Sequence, residues 1–140
     1  MAQILIKNGT LITAEKSFIS DLLIDGEQIS RVEEGIAAPD AEVIDASGKF
    51  ILPGGIDPHV HLDLEMFDTV SSDDHYTGHK AAAFGGTTTV MDFVEDKDPN
   101  LVKNIAALRE KADPKAAIDF SFHLNITSFN EAVAAQIPDV

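Results

Sequence analysis

The sequence predicts a mixed α/β protein in two parts, an antiparallel β module over residues 1–52 and a run of βα units over 53–140. Three observations predict it. Short apolar runs flank Gly-containing turns through the first fifty residues. The punctuation changes at Pro53-Gly54-Gly55. Beyond it, three candidate strands begin near residues 56, 87 and 118, about 31 residues apart, with helix-length segments between them. Strand, helix, strand at roughly thirty residues is the period of a parallel sheet whose crossovers are helices. No sequence identity accompanies the period. An all-β module followed by βα units fits the first three units of a (β/α)8 TIM-like barrel, with a doubly wound sheet as the competing arrangement.

The elements follow in order. Ile4-Leu5-Ile6 and Thr10-Leu11-Ile12-Thr13 flank Asn8-Gly9, a strong hairpin signal because Asn and Gly tolerate positive φ. Asp21-Leu22-Leu23-Ile24 and Ile29-Ser30-Arg31-Val32 flank Asp25-Gly26 and suggest a second hairpin. Glu42-Val43-Ile44-Asp45 and Lys49-Phe50-Ile51-Leu52 are two more short strands around Ser47-Gly48. Ile56 to Leu62 is the first strand of the repeat. Ser71-Ser72-Asp73-Asp74 offers an N-cap with acidic residues at the positive end of a helix dipole, and a helix through Ala81-Ala82-Ala83 stops at Gly85-Gly86. Thr87 to Phe93 is β-prone. Asp98 is expected to cap a second helix with Pro99 at its first position, ending at Asp113-Pro114. Ile118 to Ile126 is the third strand, and Ser128 is expected to cap a short helix before Pro138.

Charge and composition exclude several function classes. The chain carries 24 acidic against 10 basic residues, a formal charge of -14. Lys and Arg are scattered singly, without the clusters that grip phosphate backbones or anionic membranes, so neither nucleic acid nor membrane is an expected partner. There is no cysteine, which rules out disulfides, thiolate metal sites and a thiol nucleophile. The opening Met1 to Lys7 is too short for a signal peptide, and nothing approaches the ~20 apolar residues of a membrane span. A cytoplasmic location is the default expectation.

The chemistry concentrates in Gly54-Gly55-Ile56-Asp57-Pro58-His59-Val60-His61-Leu62-Asp63. Side chains alternate along a strand, so His59 and His61 point the same way, roughly 6–7 Å apart, and can converge on one ion. A bare His-x-His is more often coincidence than a site. Its place at the end of the first strand of the βα run, after Gly-Gly, reverses those odds. Two ligands do not complete a catalytic zinc site, which takes three protein ligands and an open position. Asp57 is read as a cap or buttress of the strand. Asp92 is read either as a partner that orients an imidazole at the same strand end or as an N-cap or turn residue. His75 and His79, spaced i, i+4 as a metal pair on a helix can be, are assigned instead to a solvated helix face, and His123 to a packed, hydrogen-bonded place in mid-strand. No catalytic residue and no substrate-binding residue is identified within the chain.

Several stretches carry a resemblance. Ile6-Lys7-Asn8-Gly9-Thr10-Leu11-Ile12-Thr13, the run from Ile44-Asp45 through Pro58-His59-Val60-His61-Leu62-Asp63, Ala81 to Thr89, and Asp119 to His123 together resemble the amidohydrolase superfamily, within it the hydantoinases and dihydropyrimidinases. Asp63 separates the chain from dihydroorotases, which typically carry Arg there. The presence of both His59 and His61 separates it from the non-enzymatic relatives of dihydropyrimidinase. The resemblance implies a (β/α)8 barrel flanked by a β-sandwich built from both chain ends. It also implies two Zn2+ ions bridged by a carboxylated lysine, with His59 and His61 on the more buried metal. By the same implication, hydroxide attacks the ring carbonyl of a small-molecule cyclic ureide or imide, a catalytic Asp moves the proton to the leaving nitrogen, and the enzyme is a homo-oligomer. The lysine, the later histidines and that Asp are expected beyond Val140, since Lys80, Lys97, Lys103, Lys111 and Lys115 all fall in or beside helices and connections. On this reading the chain is the N-terminal fragment of a longer enzyme, inactive by itself. Two alternatives stand: a non-catalytic remnant or interaction module with the same fold, and a related amidohydrolase such as an allantoinase.

Overall fold

The computed structural model describes residues 3–140, which divide between Pro53 and Gly54 into two compact units. In the first unit, β1 (Gln3–Ile12) is flanked on one side by β2 (Ser17–Asp25), which pairs in turn with the edge strand β3 (Gln28–Glu33), both antiparallel. On its other side β1 takes β4 (Glu42–Asp45) and then β5 (Phe50–Ile51), both parallel to it. The sheet is therefore mixed, not the antiparallel module expected. The chain cannot turn back from β3 to lie beside β1 as a hairpin, because β2 occupies that flank. Residues 34–41 must cross the sheet, and a crossover delivers the next strand parallel. Ile36 on this crossover is buried with Leu5 and Leu23, and Ala38 and Ala41 pack around them. Burying an Ile side chain contributes about 1.5–3 kcal/mol.

The Asn8-Gly9 turn does not form. Asn8 does adopt a left-handed φ of 62°, but as a β-bulge inside one continuous strand, where the register with β2 shifts between Ile6 and Gly9. The reversal comes later, at Thr13–Lys16, where the Thr13 amide donates to the Lys16 carbonyl at 2.9 Å. The second expected hairpin does form, with Gly26 at φ 62° between β2 and β3. Asp21, buried on β2, explains the bulge. Its carboxylate accepts from the amide of Asn8 at 3.0 Å and from that of Ile36 at 3.1 Å, tying bulge and crossover to one side chain. The Asn8 amide draws its pKa below the usual carboxylate value. Asp21→Ala is expected to cost about 1–3 kcal/mol by stranding these amides, read as a lower urea midpoint with faster hydrogen exchange at Ile36. Unchanged exchange there would refute the anchor.

The second unit runs β6 (Gly55–Asp57), β7 (Glu65–Met66), β8 (Thr69–Val70), α1 (His75–Phe84), β9 (Thr87–Val94), α2 (Leu101–Ala112), β10 (Asp119–Leu124) and α3 (Glu131–Ala134), then a single 3-10 turn at Ile137–Asp139. Its three main strands lie in the order β6, β9, β10, all parallel, as the thirty-one-residue period implies. The whole is mixed α/β. β6 is shorter than Ile56–Leu62 because Pro58 has no amide to donate to the ladder. β7 and β8 form a hairpin absent from the sequence reading, turning through Phe67 and Asp68 at φ 49° and 60°. Two side chains without glycine's freedom carry that turn, which is why no local signal marks it.

Helix boundaries follow their caps. Asp74 caps α1 in a capping box with Thr77, and the Gly85 and Gly86 amides close its far end on the Ala82 and Ala83 carbonyls. The Thr77 amide and Lys115 pull the Asp74 carboxyl down to about 2. The second helix is capped by Asn100, not Asp98, with its side chain accepting from the Lys103 amide at 3.0 Å. Asp98 is held outside the helix, its amide and carbonyl both bonded to the Asn104 side chain. Likewise Asn130, not Ser128, caps α3. Among the described residues no helix is long and apolar enough to cross a membrane.

Candidate metal centre

His59 and His61 stand just past β6, where the ladder proper has ended. Four hydrogen bonds hold this segment. The Val60 amide donates to the Met91 carbonyl at 3.0 Å and the Leu62 amide to Asp92 Oδ2 at 3.3 Å. The His59 amide donates to Asp57 Oδ1 at 3.1 Å, and the Pro58 carbonyl accepts from His123 Nε2 at 3.0 Å. The strand alternation thus persists beyond its last ladder pair. The two rings lie on one side, centroids 5.2 Å apart with planes at 80°, exposed, and resting on Phe93 at 4.5 and 5.0 Å. Two imidazoles on one tetrahedral ion, each nitrogen about 2.0–2.1 Å from it, have ring centres roughly 5 Å apart. The pair therefore fits a shared metal. Among the described residues no group of three or more His, Cys, Asp or Glu side chains converges as a ligand set, so the pair stands without a third donor there.

The other candidates are sorted by the faces of β9 and β10. Phe93 faces the two rings, and its neighbour Asp92 consequently faces the opposite side, where it is buried. Asp92 accepts from the Phe93 amide at 2.7 Å as well as from Leu62, and burial raises its pKa. It buttresses the backbone behind His61 instead of reaching the rings. His123 is hydrogen-bonded as expected but not packed away. It is exposed on the ring side, 5.0 Å from Phe93, which brings it to the same edge as His59 and His61. Asp57 acts as the buttress it was read to be, through the His59 amide. Asp63 takes a left-handed φ of 51° and pairs with Lys115 at 3.6 Å.

His75 and His79 contradict their assignment to a solvated face. They are 1% and 0% exposed, pointing from α1 into the layer over β9 and β10. His79 Nδ1 accepts from the Ala117 amide at 3.3 Å, while its Nε2 and both nitrogens of His75 have no partner among the described residues. The nearest charge to His75 is Asp92, at 3.9 Å. A sequence signal for this face existed in Gly78 and Ala82. With positions 75 and 79 they make an i, i+3, i+4, i+7 stripe, and a Cβ at Gly78 would collide with the Leu62 side chain. Small residues mark where the helix approaches the sheet. The lysines are engaged elsewhere: Lys97 and Lys111 with Glu65 at 3.1 and 3.5 Å, Lys103 with Asp98, Lys115 with Asp74 at 3.0 Å, and Lys80 over the Tyr76 ring.

Comparison with known proteins agrees with this geometry. The amidohydrolase family profile matches residues 50–137. A D-hydantoinase from Geobacillus stearothermophilus is 46% identical over 137 residues, covering 97% of this chain and 29% of that protein. A dihydropyrimidinase from Arabidopsis thaliana is 40% identical over 133 residues, covering 94% and 25%. A crystal structure of D-hydantoinase superposes with a TM-score of 0.95 at 44% identity, over 99% of this chain and 30% of that one. That of a dihydropyrimidinase from Brevibacillus agri gives 0.93 at 48% identity, over 96% and 30%. The chain thus spans about 30% of the length of the relatives it matches. Its histidine pair, its parallel βα order and the profile match over most of the second unit place the chain in the amidohydrolase family.

Proposed function

We propose that the protein is a zinc-dependent hydrolase that opens cyclic amide rings of the ureide or imide kind at a C–N bond, with His59 and His61 supplying two metal ligands. The observation that carries this reading is the ring pair itself, two imidazoles 5.2 Å apart on one exposed edge. Support for the substrate class comes from the relatives, which include D-hydantoinases and dihydropyrimidinases. The formal charge of -14 also favours a neutral ring over an anionic one. Residues 1–52 are read as part of a β-sandwich and residues 53–140 as the first units of a (β/α)8 barrel in a homo-oligomeric enzyme.

When bound, the metal supplies a Lewis acid that polarises the ring carbonyl and lowers the pKa of the attacking water. The chain's own residues do the rest. Asp57, Asp92 and the Met91 carbonyl hold the segment in place, so both imidazoles leave the chain on one side. Phe93 forms an apolar floor that fixes the ring planes. Metal analysis of the purified protein, with ring-opening assays of hydantoin, dihydrouracil and allantoin on the intact gene product, tests the proposal. Bound zinc and turnover of the first two rings are expected. Absence of metal together with inactivity on all three would overturn it. Metal without turnover would favour the second reading, a non-catalytic module of the same fold, whose motivation is that no third ligand converges with the pair among the described residues.

A further inference from the structure

We propose that His123 is a positioning residue for the metal half-site, acting on His59 through the backbone. The inference rests on the metal-site reading above. Its starting point is the gap that Pro58 leaves. The ladder between β6 and β9 ends at the pair Asp57–Val90, and the next backbone bond is that of Val60. Between them lies a single peptide unit, Pro58–His59, without a ladder partner at either end. Both ends are nonetheless held. The His59 amide donates to Asp57 Oδ1 at 3.1 Å, and the Pro58 carbonyl accepts from His123 Nε2 at 3.0 Å. The orientation of that peptide plane sets φ of His59 and with it the direction in which the imidazole leaves the chain.

His123 sits two strands away, on β10, opposite Phe93 in the register. It reaches past the Phe93 ring, 5.0 Å from it, to the carbonyl on β6. A carbonyl oxygen only accepts, so His123 Nε2 is the donor in this bond. An exposed side chain that bridges three strands to reach one carbonyl is poorly explained by packing, since it buries little. It is well explained as a clamp on the one peptide that the ladder cannot hold. Groups that orient a metal ligand typically alter affinity by 10–100-fold when removed.

The test compares wild type with His123→Ala and His123→Gln by Co2+ titration, followed through the visible bands of the bound ion, and by hydrogen exchange at the His59 amide without metal. Gln has similar reach and keeps an N–H donor. The expected result is about tenfold weaker Co2+ binding and faster His59 exchange in His123→Ala, with both restored in His123→Gln. Wild-type affinity in His123→Ala would overturn the inference while leaving the metal-site reading intact. Equal loss in both variants would overturn it in favour of His123 as a ligand. A wild type that binds no Co2+ would remove the metal-site reading and this inference with it.

Discussion

In the intact gene product, alanine at both His59 and His61 is expected to abolish zinc retention and to lower ring-opening activity by at least about a thousandfold. Each ring offers one imidazole of the proposed ligand pair, and the 5.2 Å pair is lost when either is truncated. The fold should barely notice. Both side chains are exposed, and substitutions at such sites usually change stability by no more than about 0.5 kcal/mol. Zinc should therefore raise the melting temperature of the wild type and leave that of the double variant unchanged, because a ligand stabilises only the state that binds it. A double variant that still retained zinc would place the metal elsewhere and end the functional reading.

Acid should destabilise the second unit before carboxylate titration begins. His75 and His79 are buried in the layer over β9 and β10, and desolvation lowers the pKa of both below 6.5. His75 also lowers that of His79, while Asp92, Asp63 and Asp74 act on His75 in the raising direction and Lys115 in the lowering one. In the unfolded chain each ring takes its proton near pH 6.5, and in the folded chain only at lower pH. The unfolded state therefore binds more protons below about pH 6.5, and stability present above that value is lost as pH falls. The limiting slope is about 1.4 kcal/mol per pH unit for each ring. Asp92 works the other way. Burial raises its pKa, so the folded state binds its proton first and gains stability as pH falls toward 3.8. Urea midpoints measured from pH 8 to pH 5 should show the decline. His75→Leu should lessen it and add about 1–2 kcal/mol at neutral pH, because neither ring nitrogen of His75 has a partner among the described residues and an apolar side chain has none to satisfy. A midpoint independent of pH across this range, with a destabilised Leu variant, would show that the rings are solvated in solution.

Local physical chemistry made much of this protein legible in its sequence. The βα period, the Asp74 and Gly85-Gly86 ends of α1, the Gly26 hairpin and the shared face of His59 and His61 all depend on residues close together in the chain. Capping, glycine's positive φ and the two-residue alternation of a strand act over a turn or less, so a single stretch of sequence determines them. The features that only the tertiary structure decided depend on distant partners. Asn8-Gly9 has the chemistry of a turn, yet Asp21 captures the Asn8 amide and makes it a bulge. β4 and β5 look like hairpin strands, yet the occupied flank of β1 forces a crossover and a parallel pairing. His75 and His79 are polar enough for water, yet Gly78 brings their helix face against Leu62 and buries them. His123 joins the edge of His59 and His61 only because β9 places Phe93 between it and Pro58. In each case a backbone or packing demand from another strand outweighs a local preference of about a kilocalorie, and no window along the chain contains both parties.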